Sequence, residues 1–235
     1  MLTLLVILIL LIVVALILRH LLRTFFYPRP PHSMPDVVDA DLDSALRRFE
    51  SALGQHAPDV LAALQPGLSH EQICEIEAKY RLWLSDDMRT LYLWRNGSVQ
   101  ADRVELIPGH SFISLEDAAE LRYGLRQQLS TQPLMQRLAY WVLAGHRTTW
   151  LTVLDDLCGD GYFYDPSRGR TSGSFFYHFA QDRQYRFFPS LSNFLAGASE
   201  CYERGIYRKG QRDSTAEVFE RSHEIWAKYS AWPGA

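Results

Sequence analysis

Cysteine is scarce in this sequence, and the three that occur, Cys74, Cys158 and Cys201, form no CxxC pair. An odd, scattered set makes no disulfide framework, and it suits a reducing compartment. Cys74 and Cys201 fall inside predicted helices and are read as small buried residues. An excess of basic charge is also missing. The formal net charge is −3, and the only charges before Asp36 are Arg19, Arg23 and Arg29. Setting those three aside leaves 21 Lys and Arg against 27 acids, a net charge of −6. Such a mildly acidic domain lacks the basic face that nucleic-acid binding needs, so no nucleic-acid partner is expected.

The usual catalytic signatures are absent as well. There is no Walker loop, no GxGxxG after a strand, no HExxH and no GxSxG elbow. The stretch Gly197 to Cys201 lacks the final glycine of such an elbow and lies inside a predicted helix. Eight histidines are scattered along the chain. His110, His146 and His178 fall near strand ends and, with Cys158, are the one set placed to meet in space. No two of them show ligand spacing, so no metal site is expected. Nor is a cofactor or a small-molecule substrate. No internal repeat is visible.

What the chain does have begins at its first residue. Met1 to Leu18 carries no charge, and only Thr3 breaks the apolar run. Eighteen residues at helical rise reach ~27 Å, close to a hydrocarbon core of about 30 Å. Arg19 can snorkel, so residues 1–22 are read as a transmembrane anchor, with Phe25, Phe26 and Tyr27 as an interfacial belt. A cleaved signal peptide would want basic residues ahead of a shorter core and a small-residue cleavage site, and this chain shows none of these. The three arginines behind the span place that flank, and all that follows, in the cytoplasm by the positive-inside rule. Residues 23–38 are basic and then proline-rich (PRPPHSMP from Pro28 to Pro35), which makes a stiff extended spacer.

Residues 39–207 read as one α+β domain. Helices are expected around Asp39–Leu53, interrupted from Gly54, and around Asp59–Leu64. Ser69 and Gln72 form a capping box, and Ile73, Ile76 and Tyr80 share one helical face. Ser85 caps the next helix, with Asp86 and Asp87 at its positive end and Met88, Leu91, Tyr92 and Arg95 along one face. Asn96-Gly97 is read as its C-cap, which also accounts for the Asn-Gly-Ser sequon. Then the period changes. Val104–Ile107 and Phe112-Ile113 read as strands about a Pro108-Gly109 turn, and Ser114 with Asp117 caps a helix to about Leu129. Tyr140–Leu143, Thr149–Leu154, Tyr162–Tyr164 and Phe175–Phe179 are four more strand candidates, and Ser190 caps a last core helix. This order predicts a mostly antiparallel sheet covered by helices and preceded by the transmembrane helix. Residues 208–235 hold a tail helix opened by Ser214 and Glu217, which either packs on the domain or binds a partner.

The acids Asp155, Asp156, Asp160 and Asp165 crowd one strand–turn–strand region beside Tyr162 and Tyr164. Four readings stay open for them, of which one is a metal site built from the carboxylates. Asp favours turns by bonding its own backbone. An acidic, aromatic rim of Asp156, Asp160, Tyr162 and Tyr164 would bind a protein partner. A carboxylate pair facing one cleft would serve an unrecognised hydrolase.

The run Leu84 to Met88, then Leu91-Tyr92, then Asn96-Gly97, resembles the signature of the SUKH superfamily, the Smi-one/Knr-four family of fungal cell-wall regulators and bacterial toxin-immunity proteins. Ser85 stands where that family commonly has proline. The resemblance continues through Ile113 to Ala118, Tyr140 to Ala144, Tyr162 to Asp165 and Phe188 to Leu195, and spans roughly Leu61 to Tyr207. It implies a non-catalytic module whose partner is a protein: a toxin that it neutralises by covering it, or a component of cell-envelope synthesis for which it is a membrane-anchored scaffold or regulator.

Overall fold

The computed structural model describes residues 30, 31, 33–37, 41–98, 104–133, 136, 137, 149–166, 174–179, 184–208 and 215–231. The expected anchor at 1–22, the Tyr140–Leu143 strand, His146 and the Ser214 cap all lie outside them. Among the described residues no helix is long and apolar enough to cross a membrane.

Helix α1 (Leu42–His56) starts at Asp41, whose carboxylate accepts the Asp43 N–H, and it buries Leu46, Phe49, Ala52 and Leu53. Gly54 does not break it, contrary to expectation. A mid-helix glycine costs about 0.5–1 kcal/mol, which the burial of Phe49 and Leu53 on the same helix offsets. Pro58 opens the short α2 (Pro58–Ala63) at a position where its missing N–H does no harm. Strand β1 (Leu64–Pro66) follows.

The capping box holds as predicted. In α3 (His70–Tyr80) the Ser69 hydroxyl accepts the Gln72 N–H at 3.2 Å, and the Gln72 side chain accepts the Ser69 N–H at 2.8 Å. Ser85 caps α4 (Asp86–Trp94). Buried Glu77 ties the corner between the two helices. It accepts the Leu84 N–H at 2.7 Å and the Arg89 guanidinium at 2.5 Å.

Asn96-Gly97 is not a C-cap, and Arg95 is not part of the helix face. The helix stops at Trp94 because Arg95 turns extended into β2 (Arg95–Ser98), which pairs antiparallel with β1. Arg95 there meets Glu50 at 2.5 Å. Gly97 has φ +70, and a Cβ on it would lie 2.4 Å from the Ile113 carbonyl carbon. The Asn96 side chain accepts the Leu115 N–H at 2.9 Å. The pair thus clamps the helical corner to the start of a later helix.

Strands β3 (Glu105–Ile107) and β4 (His110–Phe112) form a hairpin about Pro108-Gly109. Helix α5 (Leu115–Ser130), capped by Ser114, leads on to β5 (Leu151–Asp155), β6 (Gly161–Tyr164), β7 (Phe175–Phe179) and β8 (Gln184–Phe188). β3 to β8 make a six-stranded sheet in chain order with every neighbour antiparallel. The α+β architecture with a mostly antiparallel sheet is therefore as predicted, while β1, β2 and β8 are additions to it.

The sheet is covered on both faces. Tyr162, Tyr164, Phe175, Tyr177 and Phe188 belong to the main core with α6 (Leu191–Glu203). Trp150, Phe163, Phe176 and Phe187 form a second buried cluster, against which Met34 packs. The spacer also makes a hydrogen bond to the domain, Asn193 Nδ2 donating to the Asp36 carbonyl at 3.0 Å. Helix α7 (Thr215–Tyr229) packs on α6 and buries Val218, Ser222, Ile225 and Trp226. A Cβ on Gly197 would lie 2.5 Å from the Trp226 ring, so glycine there lets the two helices meet. Beyond α7, Ala231 bridges to Phe187 at the sheet edge. Of the cysteines only Cys201 is buried, its thiol pushed up to about 12 by that burial; Cys74 and Cys158 are exposed, each set by the backbone on an outward position.

Candidate functional site

The four acids do not form one cluster. Asp155, Asp156 and Asp160 stand at the β5–β6 turn, whereas Asp165 is fully buried at the far end of β6. The turn is closed by its own backbone and carboxylates. The Asp156 N–H donates to the Asp160 carbonyl at 3.3 Å, Asp155 accepts the Leu157 N–H at 3.0 Å, and Asp156 accepts the Cys158 N–H at 2.8 Å. This is the turn chemistry that Asp favours. Leu157 is held at its tip with φ +67 and is 69% exposed. A leucine in left-handed backbone costs roughly 1–2 kcal/mol, and glycine would avoid that cost.

Tyr162 and Tyr164 are not on an exposed rim. They are 6% and 1% exposed, and every residue of β6 is buried because both faces of the sheet are covered. Tyr162 packs among Tyr177, Phe175, Phe188 and Phe194. Of the predicted partner-binding set, only Asp156 and Asp160 reach solvent, each half-buried. Of the motif residues, Leu84, Leu91 and Tyr92 are core, Ser69 and Gln72 cap a helix, and Asn96 and Gly97 form the clamp. These seven have structural work to do.

His110 and His178 are kept apart by the sheet. His110 contacts Tyr162 and Tyr177 on the helix-covered face, while His178 stacks on Tyr185 and meets Trp150 and Phe163 on the other. Among the described residues no group of three or more His, Cys, Asp or Glu could hold a metal ion.

Sequence reasoning missed an open cleft of about 310 Å³ next to the acidic turn. Its walls are the β3–β4 hairpin (Ile107, Pro108, His110), the sheet (Asp160, Tyr162, Tyr177, Phe179) and α7 (Val218, Phe219, Ser222, Trp226), with Tyr207 between. No sequence signal marks it, because its walls lie more than a hundred residues apart. His110 Nε2 and the Tyr177 hydroxyl are 3.1 Å apart, and His110 Nδ1 is 3.1 Å from the Pro108 carbonyl. Burial pushes the His110 pKa down, against the Pro108 carbonyl and the nearby charges of Asp156, Asp160 and Asp155. Burial also pushes the Tyr162 and Tyr177 hydroxyls up, so both stay protonated. At the mouth the Phe179 and Phe219 rings meet edge to face at 5.6 Å.

An antiparallel meander preceded in the chain by a capped helical pair and followed by a long helix, both in the main core, defines an α+β domain with a cleft along its helical face. The chain matches the family described as SMI1 / KNR4 family (SUKH-1) over residues 67–197, more than half of its 235 residues, and it belongs to that family. A comparison with curated proteins finds no match. Helices α1 and α7 lie outside the matched stretch, so the family core supplies the cleft floor and α7 supplies one wall.

Proposed function

We propose that this chain is a non-catalytic protein-binding module, held at the inner face of a membrane by residues 1–22, that neutralises a protein toxin by covering it. The observation that carries the binding role is the acidic turn. It is locked by its own carboxylates and holds Leu157 out to water in a backbone conformation that costs free energy. An exposed apolar side chain on a rigid support, ringed by charge, is the form of an interface anchor. Family membership supports the reading, and the toxin as partner rests on the resemblance of the family's bacterial members.

A second reading is a membrane-anchored scaffold or regulator of envelope synthesis. It is favoured by the uncharged run from Met1 to Leu18, since a permanent anchor suits a scaffold better than a diffusing inhibitor. Affinity capture from solubilised membranes tests both. The intact chain is compared with one beginning at Pro28, which keeps Met34 and Asp36 on the domain. A toxin held by both forms supports neutralisation; an envelope protein held only by the intact chain supports the scaffold. Turnover of any substrate by the wild type that Asp156→Asn or Asp160→Asn abolishes would overturn the non-catalytic assignment.

A further inference from the structure

The bonding around His110 fixes the polar character of the cleft. The Pro108 carbonyl can only accept, so His110 Nδ1, 3.1 Å from it, carries the proton. Burial lowers the His110 pKa, so the ring is neutral at pH 7 and its Nε2 is an acceptor. The Tyr177 hydroxyl, 3.1 Å from Nε2, must then donate to it. With its proton committed, the Tyr177 oxygen keeps a lone pair and is an acceptor for anything that enters. The polar groups on the opposite wall bond one another instead. Trp226 Nε1 donates to the Tyr207 hydroxyl at 2.9 Å, Tyr207 also bonds Ser222, and Ser222 Oγ donates to the Phe219 carbonyl at 3.1 Å.

Charge does not select the occupant. Among the described residues Asp160 is the one carboxylate in the lining, and it already interacts within the molecule. An anion would meet that carboxylate. A cation would approach Arg186, whose buried guanidinium lies 4.9 Å from the Phe219 ring outside the lining. Either would give up its hydration for walls that are otherwise uncharged and largely aromatic.

We propose that this cleft receives one uncharged aromatic side chain of the protein partner, a tyrosine or a tryptophan, whose O–H or N–H donates to the Tyr177 oxygen. The proposal rests on the protein-binding reading above. The incoming ring packs against Phe179 and Phe219, which already meet edge to face at 5.6 Å. A volume of about 310 Å³ holds one such ring system and no folded segment. Tyrosine and tryptophan are also the side chains that most often anchor an interface by filling a pocket. Because α7 supplies Phe219, recognition is set in part by an element outside the family-matched stretch.

The test is a titration of the isotope-labelled full-length chain in detergent micelles with unlabelled capped pentapeptides, Gly-Gly-X-Gly-Gly, where X is Trp, Tyr, Phe or Lys. Binding is read from the indole N–H resonance of Trp226 in the cleft wall. The Trp and Tyr peptides are expected to shift it saturably and to bind roughly threefold or more tighter than the Phe peptide, which lacks the donor. The Lys peptide should leave it unmoved. Phe219→Ala in the same micelles should weaken the Trp and Tyr peptides about fivefold or more. Tyr177→Phe keeps the ring and removes the acceptor, so the three aromatic peptides should bind that variant alike. Aromatic peptides that leave the resonance unmoved, a Phe or Lys peptide that binds the wild type as well as the Trp peptide does, or a preference for the donor that survives Tyr177→Phe would overturn the proposal. Partner capture by the Phe219→Ala chain separates the two levels. Capture undiminished by that substitution removes the cleft and leaves the binding module standing, whereas a wild-type chain that captures no protein removes the module itself.

Discussion

At the scale of single residues, the serine caps act within one helical turn, whereas the Asn96-Gly97 clamp acts across 19 positions. Ser69, Ser85, Ser114 and Ser190 all cap the helices expected of them, because a cap bonds an N–H two or three residues away. Asn96-Gly97 reads as a local stop signal, yet its partners are Ile113 and Leu115, which no local pattern reveals. The tyrosines of β6 read as an exposed rim because nothing in a four-residue run shows that both sheet faces are covered. Gly97→Ala follows from the clamp. The new Cβ would meet the Ile113 backbone and hold a left-handed φ, so the variant should lose about 2 kcal/mol or more of stability. A urea midpoint equal to the wild type would remove the clamp.

At the scale of elements, the sequence of α7 allows both a packed and a partner-binding helix, because its apolar face suits either. Its packing on α6 is tight. Trp226 is 1% exposed, lies against Gly197, and stacks on Phe194 at 5.8 Å. Trp226→Ala should therefore cost about 3–5 kcal/mol and unfold the sheet and α7 in one transition. Early, separate melting of α7 would show instead that it is an appendage.

Charge also joins these helices. Arg48 on α1 meets Glu203 on α6 at 2.7 Å, and Lys228 on α7 meets Glu200 on α6 at 2.8 Å, with Arg204 also on Glu200. Burial works to raise the Glu200 pKa, but bonds from Lys228 and Tyr229 and the charges of Lys228 and Arg204 outweigh it and leave it lowered. Glu203 is lowered by its bond from Arg48. A lowered folded pKa means that the unfolded chain takes up the proton first. The stability from these groups is present above the ordinary carboxylate value of about 4.3 and is lost as pH falls through the folded values. Glu200→Gln should thus be less stable than the wild type at pH 7, with the gap closing near pH 3. A gap independent of pH would show that packing, not charge, joins α6 and α7.

For the whole molecule, the α+β class and the family were legible because order and spacing of many weak motifs survive even where single motifs are misread. The cleft was not, since it exists only once α7 has docked against the sheet and the β3–β4 hairpin. Cleft and acidic turn adjoin, and Leu157 and Asp160 both belong to the turn on which the proposed interface rests. The most direct measurement is quantitative capture of the membrane-solubilised partner by the intact chain and by its Leu157→Ser, Asp160→Asn double variant. Both substitutions lie on a solvent-facing turn, so the melting temperature should hold. The account predicts at least a tenfold loss of captured partner, about 1.4 kcal/mol or more of binding free energy. Undiminished capture at an unchanged melting temperature would contradict it.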